Sequence, residues 1–160
     1  MEIVYKTIGI IRSAFKEANG TPIQPVASPD SEGRVELFEE CAEGLKDLDG
    51  FSHIILIFHM HLVKEAKLKV IPFLDTQEHG IFATRSPARP NPVGFSVVRL
   101  EKIERNILFV SGIDIIDGTP LLDIKPFVPA FDVRDAEKTG WFENKQHKIP
   151  DARDDGRFTE

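Results

Sequence analysis

Along most of the chain apolar side chains recur at every second position, the period of a strand with one buried face, and not at the 3.6-residue period of a helix. Residues 3–11, 34–38, 52–62, 67–73, 95–103, 107–115 and 121–127 read as strands, rich in Val, Ile and Phe and bounded by Gly, Pro, Asn or Asp. Glu104, Arg105 and Asn106 form a tight hairpin connection between two of them. The next turn is Asp117-Gly118-Thr119-Pro120, where Gly118 can take positive φ without a Cβ clash. Helical patterning is confined to residues 39–48 and 134–139, both short. Many short strands with one or two short helices predict a mainly β fold, a single-sheeted and largely antiparallel β-barrel whose closure removes exposed edges. The barrel is assigned to residues 1–135. Residues 136–160, polar and charged, are expected to be loosely held or docked on a partner subunit.

Composition narrows the class. With 160 residues, 41% hydrophobic and 29% charged, the chain is sized and composed for one ordinary core. One cysteine, Cys41, excludes an internal disulfide framework and fits a reducing compartment. The most apolar run, residues 54–63, is interrupted by His59 and His61 and is about half of the ~20 residues a membrane helix needs. No signal-peptide pattern is visible, so a cytoplasmic protein without membrane contact is expected. The net charge of −6 argues against binding by bulk positive charge. The charge is uneven, however. Residues 30–49 are strongly acidic, whereas 64–105 carry Lys64, Lys67, Lys69, Arg85, Arg89, Arg99, Lys102 and Arg105, so an anionic partner meets the second stretch.

Three segments hold candidate chemistry. From Phe82 to Gly94 the chain reads FATRSPARPNPVG, and its prolines fix φ and remove backbone donors. This stiff loop holds Arg85, Arg89 and Asn91 in set places, either as solvated residues of a strand connection or as a clamp for carboxylate or phosphate. In the second segment Asp123 and Lys125 share strand parity beyond the Gly118 turn, as a surface ion pair or beside a turn that recognises a ligand. In the third, His53, His59 and His61 share parity, but two nearby histidines fall short of a zinc ligand set and no metal is expected. Glycine-rich dinucleotide loops, Walker loops and nucleophile elbows are missing, and Cys41 sits among acids that disfavour a thiolate.

Taken in order, the motifs are distinctive: IGIIRS at residues 8–13, Gln24-Pro25, LDGFSH at 48–53, Phe58-His59, ATRS at 83–86, RPNPVG at 89–94, and DGTPLLDIKPF at 117–127. The chain resembles the tRNA threonylcarbamoyladenosine N6-methyltransferase family, TrmO, over roughly residues 3 to 130. The resemblance implies an S-adenosylmethionine-dependent methyltransferase built on a β-barrel, usually dimeric. Its substrate would be N6 of threonylcarbamoyladenosine beside the anticodon of threonine tRNA. The chain is similar to the short members, without the additional C-terminal domain usual in bacterial ones.

Cofactor contacts implied by the resemblance are Gln24, Pro25, Val26, Phe58, His59, Arg85, Phe95 and the turn Gly118, Thr119, Pro120 and Leu121. Arg85 suits the methionine carboxylate, and Phe58 suits the adenine or the methionine chain. The N6 nucleophile is conjugated to a purine and a urea carbonyl, so a general base helps, with His59, Asp117 and Asp123 as candidates in that order. Arg89, Asn91 and Lys125 are expected to face the tRNA or the threonyl carboxylate. The alternatives are a methyltransferase with another acceptor, or a non-enzymatic barrel that binds S-adenosylmethionine or RNA.

Overall fold

The expected alternation becomes a sheet that closes on itself. The computed structural model describes residues 1–159. Its elements are β1 (Gly9–Ser13), β2 (Glu32–Leu37), β3 (His53–His59), β4 (Lys69–Val70), β5 (His79–Gly80), β6 (Val93–Glu104), β7 (Ile107–Ser111), β8 (Thr119–Pro126) and α1 (Pro129–Asp132). Six strands form a closed antiparallel barrel in the order β1-β2-β7-β6-β3-β8, and β4 and β5 make a separate two-stranded sheet. Alternate residues of the strands fill the interior: Ile11, Val35, Ile54, Leu56, Leu108 and Leu121 are almost wholly buried. A barrel this narrow is packed solid by its own side chains.

Local chemistry accounts for the connections. Arg105 takes φ 57° in the two-residue loop that pairs Glu104 with Ile107, and Asn106 Nδ2 donates to the Leu37 carbonyl at 2.6 Å. Gly118 has φ 80°, the left-handed conformation the turn before β8 demands.

Several elements differ from expectation. Residues 3–8 form no strand, because β8 pairs with β1 only from Gly9 to Ile11, and Ile3, Val4 and Tyr5 stay exposed. Residues 67–73 contribute just the two residues of β4, outside the barrel. The first expected helix is 3₁₀, over Glu39–Leu45 and Leu48–Gly50. Residues 134–139 are not helical, and the short α1 lies before them, started by Pro129. The tail, assigned to residues 136–160 with Glu160 outside the described residues, lies against its own chain: Phe158 is buried with Val70, Ile81 and Ala88.

Antiparallel pairing throughout puts the ends of β1, β3 and β7 and the starts of β2, β6 and β8 on one rim. The connections 14–31, 60–92 and 112–118 therefore gather there. β6 runs past Ser111, the last residue of β7, so its first residues pair with β3 on one edge only. The loop after β7 reaches that free edge through a hydrogen bond from Ser96 Oγ to Asp114 Oδ1 of 2.6 Å. The 3₁₀ turn Pro25–Ala27 also packs beside β6.

Gly94 shows how tightly the rim is built. A Cβ there would lie 2.4 Å from Cε2 of Phe58, whose ring is buried beneath it. Gly94→Ala is expected to lower unfolding free energy by about 1–3 kcal/mol through overpacking. Urea denaturation measures it, and a midpoint equal to that of the parent chain would refute the packing argument.

Candidate active site

Arg85 is the centre of the rim cluster. Its Nη1 donates to Gln24 Oε1 at 3.0 Å, and its Cζ lies 5.0 Å from the centre of the Phe95 ring. Three distant segments thus converge: the residue that opens the 3₁₀ turn Pro25–Ala27, the proline-rich loop, and the start of β6, which is paired on one edge only. Arg85 is exposed, and Val26 and Phe95 stand exposed beside it, so a guanidinium and apolar surface face solvent together. Such a surface suits a ligand with an anionic group and an apolar body.

The loop is braced from within, mostly by Arg89. Its Nη1 reaches the carbonyls of Ile81, Thr84 and Ser86 at 3.3, 2.8 and 3.3 Å. Arg89, expected to face the tRNA or the threonyl carboxylate, spends that nitrogen on its own loop, where the Ile81 carbonyl also accepts the Thr84 N–H at 3.1 Å. Asn91 is exposed beyond it. Ser86 Oγ is the single buried side-chain polar atom without a hydrogen-bond partner among the described residues.

Asp114 was missed in the sequence. Its carboxylate accepts the Ser96 hydroxyl, and burial pushes its pKa up to about 6, against the opposing pull of Ser96 and of the Arg85 charge. No motif marks it, because its environment arises only when the loop after β7 covers the free edge of β6.

The turn before β8 is already satisfied internally. The N–H groups of Asp117, Gly118 and Thr119 donate to Phe15, Ile11 and Ile116 carbonyls at 2.7, 2.9 and 3.3 Å. Thr119 and Leu121 point into the barrel, buried, and Pro120 is partly exposed. Strand pairing and turn closure therefore use these N–H groups. Phe58, expected against the adenine or the methionine chain, has its ring buried in the barrel under Gly94.

The three expected bases have unequal surroundings. Asp117 receives Lys16 Nζ at 2.9 Å and the Ser13 N–H at 3.1 Å, and these hold its carboxyl below the usual range. A carboxylate so stabilised is a weak base. Asp123 pairs with Lys125 at 2.7 Å and accepts the Ile124 N–H at 2.9 Å. Its strand partner Ile57 also pairs with Phe95, so Asp123 lies two strands from Phe95, and Lys125 is a step further towards the opposite rim. His59 ends β3 half-buried, opposite Val93 at the start of β6.

His61 adds a group whose place near the turn the alternation did not reveal. Its Nδ1 lies 3.4 Å from Thr119 Oγ1, whose own proton goes to the Ile116 carbonyl at 2.7 Å. Thr119 is then the acceptor and Nδ1–H the donor, leaving Nε2 with a free lone pair. Desolvation, followed by the neighbouring His59, lowers the pKa of His61, which keeps the ring neutral near pH 7.

A family model described as the tRNA-methyltransferase O N-terminal domain matches residues 10–133. The chain belongs to that family. Every segment of the rim cluster, from Gln24 to the Gly118 turn, falls inside the matched span. Among its relatives, a Pyrococcus abyssi protein named "Probable S-adenosyl-L-methionine-binding protein" is 58% identical over 156 residues, covering 98% of this chain and 85% of that protein. The human tRNA (adenine(37)-N6)-methyltransferase is 39% identical over 138 residues, 81% of this chain but 31% of the human protein. The crystal structure of TrmO from Pseudomonas aeruginosa superposes with a TM-score of 0.73 at 40% identity, covering 88% of this chain and 63% of that one. The family's barrel is thus present here, in a chain spanning less than two thirds of the solved relative and about a third of the human one.

Proposed function

We propose that this chain binds S-adenosylmethionine at the Gln24–Arg85–Phe95 cluster and transfers its methyl group to N6 of an adenosine in tRNA. The observation that carries the reading is the convergence of those three residues, 3.0 and 5.0 Å apart, within a barrel of the tRNA-methyltransferase O family. Arg85 takes the methionine carboxylate, and Val26 and Phe95 cover the apolar parts. When bound, the cofactor supplies a methyl group already activated by its sulfonium.

The finer reading is that the acceptor is N6 of threonylcarbamoyladenosine next to the anticodon of threonine tRNA, modified in the cytoplasm by a homodimer. The protein's own work is alignment and removal of the N6 proton. His59 leads as the base, with the neutral Nε2 of His61 close by, because the carboxylates of Asp117 and Asp123 are already engaged by lysines. Asn91, the free face of Arg89, and Lys125 supply polar contacts to the tRNA.

Methyl transfer from labelled S-adenosylmethionine to two matched threonine tRNAs tests this reading. One carries threonylcarbamoyladenosine and the other plain adenosine. Label on the modified tRNA alone is the expected result. Label on both would keep the enzyme and remove the carbamoyl requirement. Label on neither, with cofactor bound, would overturn the acceptor assignment.

A further inference from the structure

The C-terminal stretch reaches both loops that carry the cluster, and through separate contacts. Against the 60–92 connection, Trp141 Nε1 donates to the Ala83 carbonyl at 2.7 Å, two residues before Arg85, while its ring stacks on His79 with centroids 4.8 Å apart. Lys145 pairs with Asp75, whose carboxylate also accepts His79 Nε2 at 2.9 Å and the Thr76 N–H at 2.7 Å. These partners, Lys145 first and His79 next, hold the Asp75 carboxyl far below its usual range. Phe158 closes the apolar cluster under the same connection, edge-on to Phe73 at 5.1 Å.

Against the 14–31 connection the link is made by backbone. The Gly20 N–H donates to the Asp154 carbonyl at 2.7 Å, and the Asp154 N–H donates to the Thr21 carbonyl at 2.8 Å. Arg153 Nη2 adds a bond to the Ala27 carbonyl at 3.2 Å. The two connections then meet at the Gln24–Arg85 hydrogen bond.

We infer that residues 140–158 are a strap that sets the spacing of Gln24 and Arg85, with Trp141 and Lys145 as positioning residues for cofactor binding. The physical reason is entropic. A loop of some thirty residues with only two-residue strands in it has little order of its own, and its tip is placed by whatever ties it down. Arg85 is useful only when held where the carboxylate arrives, and displacement of about 1 Å can cost ~10²-fold in a positioned reaction. This inference rests on the cofactor reading above.

The test uses the full chain with Trp141→Ala and, separately, Lys145→Gln. Hydrogen exchange is read without cofactor, and S-adenosylmethionine affinity is read by calorimetry. The expected result is faster exchange at residues 81–89 and 20–27, unchanged exchange in β3 and β6, and affinity about tenfold weaker. At saturating cofactor kcat should recover, with the loss confined to KM, and Lys145→Arg should restore both readouts. Faster loop exchange with unchanged affinity would overturn the positioning role, and so would unchanged exchange. Should Trp141→Ala fail to fold, Lys145→Gln decides alone. Failure of the cofactor reading looks different: the unaltered chain would then bind no S-adenosylmethionine, and the inference would fall with it.

Discussion

Arg85→Ala is expected to weaken S-adenosylmethionine binding by roughly 10- to 100-fold, the loss of a charge-assisted hydrogen-bonded pair worth about 1.5–3 kcal/mol. The guanidinium is exposed, so water screens part of its attraction for a carboxylate and the upper figure is a ceiling. Its position is nonetheless prepared. Gln24 holds one nitrogen at 3.0 Å and the Phe95 ring supports the plane at 5.0 Å, so little side-chain freedom remains to be lost on binding. Arg85→Lys should recover only a small part, because an ammonium supplies charge without the planar fork. Folding should hardly change, since Arg85 makes no ion pair among the described residues. Calorimetry on the three chains, with thermal unfolding as the control, is the measurement. Equal affinity of the alanine variant and the parent would remove Arg85 from the site.

Much of this architecture was readable from alternation alone. β2, β3, β6, β7 and β8 lie where every second side chain is apolar, and the Arg105 and Gly118 turns sit where polar and glycine residues break the pattern. The errors have physical causes. Residues 3–5, Ile-Val-Tyr, are strong strand formers, yet β8 does not pair with them, and propensity without a partner makes no strand. Residues 39–48 carry helical spacing, but Lys46, outside helical geometry at ψ 130°, and a left-handed Asp47 with φ 64° split the run into two 3₁₀ turns.

The site was legible as a set of residue types and not as a set of roles. Arg85 and Arg89 look alike in sequence, four positions apart in one stiff loop. Only the fold shows that Arg89 bonds three carbonyls of that loop while Arg85 faces Gln24 and Phe95. Thr119 and Leu121 likewise belong to the distinctive motif yet face the core, which motif order cannot reveal. Trp141 and Lys145 lie in a polar tail that composition reads as loose. Their partners, Ala83 and Asp75, are more than fifty residues away, and no local signal reports such contacts.

Asp114→Asn is expected to make the protein more stable and a worse cofactor binder. Burial pushes this carboxyl up to about 6, above its ordinary value near 4, so the folded state holds a proton that the unfolded chain has already released. Stability is therefore unpenalised below pH 4, declines as pH rises between about 4 and 6, and above that carries a penalty on the order of 2–3 kcal/mol. Asparagine keeps an acceptor for the Ser96 hydroxyl and removes the charge. At pH 7 the variant should gain most of that energy, and the two chains should converge near pH 4. Asp154, also raised by burial, contributes a slope of the same sign, while Glu36 and Asp117, held low by cationic partners, act below about pH 4. The difference between variant and parent isolates Asp114 from all three. A native-state cost of this kind is retained where the charge has a use. The methionine end of the cofactor carries both an ammonium and a carboxylate, and Asp114 and Arg85 offer the complementary pair. Cofactor affinity of the parent should then rise as pH passes through about 6, with proton release on binding, because a cation bound nearby favours the ionised carboxyl. The variant should bind more weakly at pH 7 and show a flat profile. Calorimetry in buffers of different ionisation enthalpy reads the proton directly. A variant that binds as tightly as the parent at pH 7 would leave Asp114 a buried acid without a part in recognition.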